Sequence, residues 1–250
     1  MSTRQLIVHR DKELMAQAVA ARLITAIVDA QAARGTASVV LTGGRNGNAL
    51  LDAVAASPAR DAVDWARVDL WWGDERYLAH DDPERNAVQA AAFLDAVRPL
   101  GARVHEMPAA DGPDGPDVEA AAARYAEELA AAAEPGPGLP VPAFDVLLLG
   151  VGPDTHVASL FPQHPGVRET ELTVIGVRGA PKPPPVRISL TLPALRTARQ
   201  TWLLAAGEDK ADAVALALTD PGPLQAPASA AVGTERTLWL LDEAAASKLS

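Results

Sequence analysis

The 250-residue chain contains no cysteine. This excludes disulfides, thiolate nucleophiles and cysteine-ligated metals, so any metal site would need His, Asp or Glu ligands. Positive charge is also scarce, because 22 lysines and arginines face 32 acidic residues and leave a formal net charge of −10. Nucleic-acid and anionic-membrane surfaces need a concentrated basic face, so we expect neither kind of partner.

Long hydrophobic runs are absent too. Residues 1–14 lack the apolar centre of a signal peptide, and no stretch approaches the length of a membrane helix. We therefore expect a cytoplasmic protein. Hydrophobic residues nevertheless make up 48% of the chain, which is enough for one large α/β domain or two small ones. We predict a single α/β domain over residues 1–250.

Short apolar runs alternate with helical patterns along the whole chain. The runs predict strands at residues 5–9, 38–42, 68–72, 144–149, 172–177, 186–190, 201–205 and 237–241. Met15, Val19, Leu23 and Ile27 recur every four residues, as in the buried stripe of a helix. Further helices are predicted at about residues 47–56, 86–97, 117–133 and 208–218. This alternation predicts a doubly wound, mostly parallel sheet flanked by helices.

In such a sheet the loops that follow strands carry the ligand sites. The first of them, LTGGRNG at residues 41–47, has glycines that would let backbone N–H groups turn toward a phosphate at the start of a helix. Arg45 could add a charged contact. The loop is not a P-loop, because the Gly-Lys-Ser/Thr ending is absent. A plain glycine-rich turn capped by Asn46 or Asn48 is the alternative.

The next loop begins GDER at residues 73–76. Asp74, Glu75 and Arg76 stand at the end of an apolar strand, where charged groups would serve a cleft or simply form a solvated turn.

The stretch GVGPDTHVASLFP, residues 150–162, follows another apolar strand. It matches the dinucleotide fingerprint G-x-G-x-x-G only in part, since Thr155 occupies the place of the third glycine. Ser159 lacks the G-x-S-x-G context of a hydrolase nucleophile. His156 remains as a candidate general base, with Asp154 close enough in sequence to orient its ring. A purely structural histidine is the alternative.

Three further cations lie in or beside later loops. The proline-rich segment 178–185 contains Lys182 and leads directly into Arg187, at the start of a predicted strand. Lys210 follows another strand near the start of a helix, where it could meet an anion or be solvated.

Five blocks occur in order, each after a predicted strand. They are LTGG at 41–44, GDER at 73–76, DVLLLGVGPDTHVASLFP at 145–162, RISLTLPAL at 187–195 and GEDKADAV at 207–214. Together they resemble the glucosamine-6-phosphate isomerase/6-phosphogluconolactonase family. The resemblance implies the Rossmann-like α/β fold shared with ribose-5-phosphate isomerases and CoA transferases. It also implies hydrolysis of 6-phospho-D-glucono-1,5-lactone to 6-phospho-D-gluconate, a step of the oxidative pentose phosphate pathway, without a metal or organic cofactor.

The same resemblance implies roles for individual residues. It makes His156 the general base, with Asp154 and Asp74 in the polar site around it. It also implies contacts to the phosphate or sugar oxygens from Gly43, Gly44, Arg45, Arg76, Arg187 and Lys210. The small-molecule partner would be a sugar-phosphate lactone, bound by a monomer or small homo-oligomer.

Glucosamine-6-phosphate deaminase or isomerase activity is the nearest alternative. Deaminases carry a Phe-Asn-Glu-Pro continuation after the histidine, whereas this chain has Ala158 to Pro162 with no carboxylate. The lactonase interpretation is therefore favoured.

A non-catalytic sugar-phosphate sensor is the second alternative, although the chain lacks a helix-turn-helix segment. The sensor alternative remains because Thr155 stands where the family usually has glycine. A positive φ at Thr155 would be costly and could displace His156. The loop GGRNG also replaces the usual glycine-serine/threonine pattern.

Overall fold

Strands and helices alternate along residues 3–249, the part of the chain that this computed structural model describes. The strands are β1 (Thr3–His9), β2 (Ala37–Leu41), β3 (Val68–Trp72), β4 (Asp74–Arg76), β5 (Arg103–Val104), β6 (Val146–Gly150), β7 (Val174–Val177), β8 (Arg187–Leu190), β9 (Gln200–Ala205) and β10 (Arg236–Asp242). The α-helices are α1 (Lys12–Arg34), α2 (Gly44–Ala56), α3 (Asn86–Gln89), α4 (Ala91–Val97), α5 (Val118–Ala131), α6 (Leu192–Leu195), α7 (Ala211–Leu218) and α8 (Pro227–Ala230).

Seven strands form one sheet in the order β1-β10-β9-β6-β2-β3-β5. Every pairing in it is parallel, with β6 at the centre between β9 and β2. The side chains of the central strands are buried because helices cover both faces of the sheet, as parallel strands require. The predicted fold class is confirmed.

A second, three-stranded antiparallel sheet has the order β4-β8-β7. The predicted strands at 172–177 and 186–190 therefore exist, but they lie outside the main sheet. The segment GDER was predicted only as a polar loop, and residues 74–76 instead form β4. Three charged residues are too few to show strand alternation in sequence. The pairing places Arg76 directly opposite Arg187.

The predicted helices are present with two differences. The stripe Met15, Val19, Leu23 and Ile27 is buried along α1, as predicted. The segment predicted as one helix at 86–97 is divided between α3 and α4, because Ala90 leaves the helical conformation with ψ near 10°. The helix expected from residue 208 begins with a 3₁₀ turn, Glu208–Lys210, before α7.

The core lies on both faces of the main sheet and includes all five tryptophans, none of them more than 2% exposed. Burying side chains of this size removes much apolar surface from water, which is the main favourable contribution to folding.

Within residues 3–249, no helix is long and apolar enough to cross a membrane.

One charged network supports the β3–β5 edge of the sheet. The His105 ring stacks on Trp71 with centroids 3.7 Å apart. Its two nitrogens lie 2.6 Å from Glu128 Oε1 and 3.0 Å from Asp69 Oδ1, and Arg103 binds the same aspartate through two nitrogens. Burial alone would lower the pKa of His105, but the bonds to the two carboxylates outweigh it and raise that pKa. Burial would likewise raise the pKa of Asp69, yet its bonds to His105 and Arg103 lower it to about 2.

We expect His105→Gln to lower the free energy of unfolding by roughly 1 kcal/mol at about pH 5.5, and by less at about pH 9. The pKa of His105 is raised above its ordinary 6.5, so its stabilisation is complete below that pH and is lost as the pH rises through the raised value. Urea unfolding at both pH values measures the difference. His80→Gln is the control, because His80 is mostly exposed. Equal losses for the His105 variant at both pH values would contradict the prediction.

Candidate active site

The loops that follow β2, β3, β6 and β9 meet at the carboxyl edge of the main sheet. They enclose a cavity of about 170 Å³ together with the loop before β8. Its lining is Thr42, Gly43, Gly44, Arg45, Asn46, Asp74, Arg76, Asn86, Gly150, Val151, Gly152, Pro153, His156, Ala158, Lys182, Arg187 and Lys210.

Nearly all the site residues predicted from the sequence border this cavity. Those that line it are Gly43, Gly44, Arg45, Asp74, Arg76, His156, Arg187 and Lys210. Asp154 lies behind the lining, bonded to His156. Elements far apart in sequence therefore bring the predicted residues together, while the role of each stays a prediction.

A tight turn after β6 carries the histidine. The N–H of Gly152 donates to the His156 carbonyl, and the N–H of Thr155 donates to the Gly152 carbonyl, each at 2.9 Å. The imidazole folds back so closely over Gly152 that a Cβ there would lie 2.0 Å from its Nδ1. Only glycine fits under the ring at this position.

Asp154 and Lys182 both lie beside Nδ1 of the His156 imidazole. Nδ1 of His156 lies 2.5 Å from Asp154 Oδ1, and Lys182 Nζ donates to the same oxygen at 3.0 Å. Burial would raise the pKa of Asp154, but its bonds to His156 and Lys182 outweigh this and bring the pKa far below its ordinary value. An ionised carboxylate only accepts, so we assign a proton to Nδ1.

The glycine loop begins α2 without a side-chain cap. Gly43 is the N-cap residue, Gly44 has φ of +75°, and no side chain among residues 3–249 accepts a hydrogen bond from the first N–H groups of the helix. Arg45 Nη2 donates to Asp209 Oδ2 at 2.8 Å, and Lys210 Nζ lies 3.7 Å from the same atom. Burial lowers the pKa of Lys210. Uncapped amides and two cations at a helix N-terminus suit an anion.

Arg187 supports the loop that carries Lys182. Its Nε donates to the Pro184 carbonyl, and its Nη2 donates to the carbonyls of Lys182 and Pro183, at 3.0–3.1 Å. Burial lowers the pKa of Arg187. Because Nη1 has no protein hydrogen bond within residues 3–249, this nitrogen remains available to a ligand.

Asp74 is held at the floor of the cavity. Ser159 Oγ donates to its Oδ2 at 2.6 Å, and Asn86 Nδ2 donates to its backbone carbonyl at 2.8 Å. Asn86 packs against Gly43, where a Cβ would lie 1.9 Å from its Oδ1. The GDER segment and the glycine loop thus hold each other in place.

Glu75 does not face the cavity. It is fully buried beside Arg85 and accepts from the N–H groups of Arg76, Asn86 and Ala87. Burial raises its pKa. The residue expected to be a cleft or surface charge is instead an internal anchor for the backbone of the site.

Sequence reasoning missed several contributors to the site. Lys182 was noted only for its loop, and Ser159 was considered only as a nucleophile. Asn86 and Gly152 carried no assigned role. The second glycine of G-x-G was a usable signal for close approach, but the contact of Lys182 with Asp154 spans 28 positions and left no local pattern.

Thr155 has φ of +69° and is buried. A positive φ for a β-branched residue costs about 1–3 kcal/mol unless its surroundings hold it. His156 nevertheless lies within hydrogen-bond distance of Asp154, so the expected strain is present without displacing the histidine from its neighbour.

Comparison with known proteins gives a consistent result. A family model described as glucosamine-6-phosphate isomerases/6-phosphogluconolactonase matches residues 10–239. A 6-phosphogluconolactonase of Streptomyces coelicolor is 73% identical over 99% of this chain and 95% of its own length. One from Mycobacterium tuberculosis is 50% identical over 96% of each chain.

The fold has close structural counterparts. The crystal structure of 6-phosphogluconolactonase from Leishmania guyanensis superposes with a TM-score of 0.82, at 26% identity and over 99% of both chains. The seven-stranded parallel sheet is therefore an arrangement found in solved structures.

We expect Gly152→Ala to move the His156 ring away from Asp154, because the new Cβ would overlap Nδ1 at 2.0 Å. A crystal structure of the variant should show that hydrogen bond broken. Gly150→Ala is the matched control, since a Cβ there meets its nearest neighbours at an ordinary 3.8 Å and should leave the ring in place. An unmoved His156 in the Gly152 variant would contradict the assigned packing.

Proposed function

Because the chain belongs to the family of glucosamine-6-phosphate isomerases and 6-phosphogluconolactonases, we propose that it hydrolyses 6-phospho-D-glucono-1,5-lactone to 6-phospho-D-gluconate. The observation that carries the assignment to this site is the His156–Asp154 pair at the edge of a cation-lined cavity. The reaction would serve the oxidative pentose phosphate pathway, in the cytoplasm.

His156 is the proposed general base. With the proton on Nδ1 held by Asp154, Nε2 can take a proton from water as the water oxygen attacks C1 of the lactone. The carbonyl becomes a tetrahedral oxyanion. When the C1–ring oxygen bond breaks, the departing oxygen receives the proton from His156, so the base returns to its starting state.

The cations around the cavity support binding of a phosphorylated substrate. The free N–H groups at the start of α2, with Arg45 and Lys210, are the proposed phosphate site. Arg76 and Arg187 are neighbours across the β4–β8 ladder and are proposed to bind phosphate or sugar oxygens. The positive charges of two arginines at facing positions repel each other, and an anionic ligand would relieve that repulsion. They would also stabilise the oxyanion.

The geometry favours lactone hydrolysis over deamination. Deaminases place a glutamate shortly after the histidine, whereas here Ala158 lines the cavity and the Ser159 hydroxyl is bonded to Asp74. Residues 158–162, which follow the histidine, offer no carboxylate to assist ring opening. We also propose that the chain works as one domain. The pairing of β1 with β10, which joins its first and last strands, supports this.

We expect the purified protein to accelerate hydrolysis of freshly prepared lactone above the spontaneous rate. His156→Ala should lower kcat by roughly 10²–10⁴, the usual contribution of a general base. Product formation is followed with a coupled dehydrogenase, with the enzyme-free rate subtracted. His80→Ala, a change at an exposed histidine, should keep full activity. Full activity in the folded His156→Ala variant would contradict the role of His156 as general base. Turnover of glucosamine 6-phosphate in place of the lactone would contradict the lactonase assignment.

Lys210→Met should raise KM for the phosphorylated lactone roughly tenfold or more, because one charge-assisted hydrogen bond is lost. The same change should leave the slow hydrolysis of unphosphorylated glucono-1,5-lactone unaltered. Lys248→Met is the matched control, since Lys248 is exposed and pairs with Asp212. Equal effects on both lactones would show that Lys210 does not contact the phosphate.

A further inference from the structure

Thr155 is bonded through two of its atoms to a distant part of the chain. Its hydroxyl Oγ1 donates to the Gln225 carbonyl at 3.2 Å, and its own carbonyl accepts from the Ala228 N–H at 3.0 Å. Ala228 belongs to α8, whose first N–H groups lack partners inside the helix. These two bonds pair the hydroxyl and carbonyl of Thr155 with the Gln225 carbonyl and the Ala228 N–H. Without them, the buried polar groups would lack these partners.

The segment that receives these bonds is itself held firmly. The residues of α8 are all buried, and Arg196 Nε donates to the Ala230 carbonyl at 2.7 Å. The N–H of Gln163 donates to the Leu224 carbonyl at 3.0 Å, so residues 224–228 contact the histidine loop at Thr155 and again directly after its last residue. These contacts resist displacement of the histidine loop relative to residues 224–228.

We propose that Thr155 is a positioning residue for His156, acting through its hydroxyl bond to Gln225. The inference rests on the proposed function. Thr155 directly precedes the histidine, and its φ of +69° turns the chain so that the imidazole returns over Gly152 to Asp154. Threonine has no intrinsic preference for this conformation, and the two bonds to residues 225–228 hold it there. The hydroxyl supplies a contact that glycine at this position would lack.

The test compares three variants. Thr155→Val keeps the shape and branching of the side chain but removes the donor, whereas Thr155→Ser keeps the donor. Thr234→Val is the matched control, because Thr234 Oγ1 bonds the Ala198 carbonyl at 3.3 Å, outside the site. Thermal unfolding is measured for each variant so that activity is compared between folded proteins. If the valine variant does not fold, Thr155→Ala takes its place.

We expect Thr155→Val to lower kcat about three- to tenfold, the factor of one net hydrogen bond, with KM changed less than twofold. The acid limb of the pH profile of kcat/KM should shift, and the serine variant should restore both properties. Thr234→Val should match the parent protein. Unchanged kcat and pH profile in the valine variant, or no rescue by serine, would overturn the proposal.

A readout without substrate separates this proposal from the lactonase assignment. The ¹⁵N and ¹H signals of the His156 ring, identified with the His156→Ala variant, should shift in Thr155→Val and return in Thr155→Ser. If the parent protein had no lactonase activity but the ring signals moved, the proposed function would fail while the positioning role would stand. Ring signals that do not respond to Thr155→Val would overturn the positioning role itself.

Discussion

The parallel direction of the seven-stranded sheet is the constraint on which the candidate site depends. Because β2, β3, β6 and β9 all run the same way, the loops that follow them reach one edge. The glycine loop, the GDER segment, the histidine turn and Lys210 thus meet there, although more than 160 positions separate Gly43 from Lys210. The small antiparallel sheet adds Arg187 by pairing β8 with β4.

The cavity collects positive charge inside a protein of net charge −10. Three of the cations there are held by hydrogen bonds to the protein's own oxygens: Arg45 by Asp209, Lys182 by Asp154, and Arg187 by three backbone carbonyls. These bonds keep the cations at the cavity against the overall field. Asp154 is the shared hydrogen-bond partner of Lys182 and His156, so the lysine and the histidine are linked through one carboxylate.

Much of the fold was predictable from local pattern. The stripe from Met15 to Ile27 and the apolar strands are signals of short range, and the structure contains the elements they predict. The break at Ala90 and the strand Asp74–Arg76 were not predictable, since an alanine favours helix and three charged residues carry no periodicity. Within the candidate site, His156 was identified by its loop, whereas the contacts of Ser159 and Lys182 depend on chain segments that no local pattern connects.

The sequence by itself determined the alternation of strands and helices, the glycine-rich loops and the family to which the chain belongs, because each is written in neighbouring residues. Only the tertiary structure decided how those residues act. It turned Glu75 inward to bind backbone N–H groups, and it brought Lys182 to Asp154. It also tied Thr155 to residues 225–228, so that a threonine keeps a left-handed conformation. The physical reason is that hydrogen bonds and burial over long sequence separation outweigh the local preferences of a single residue.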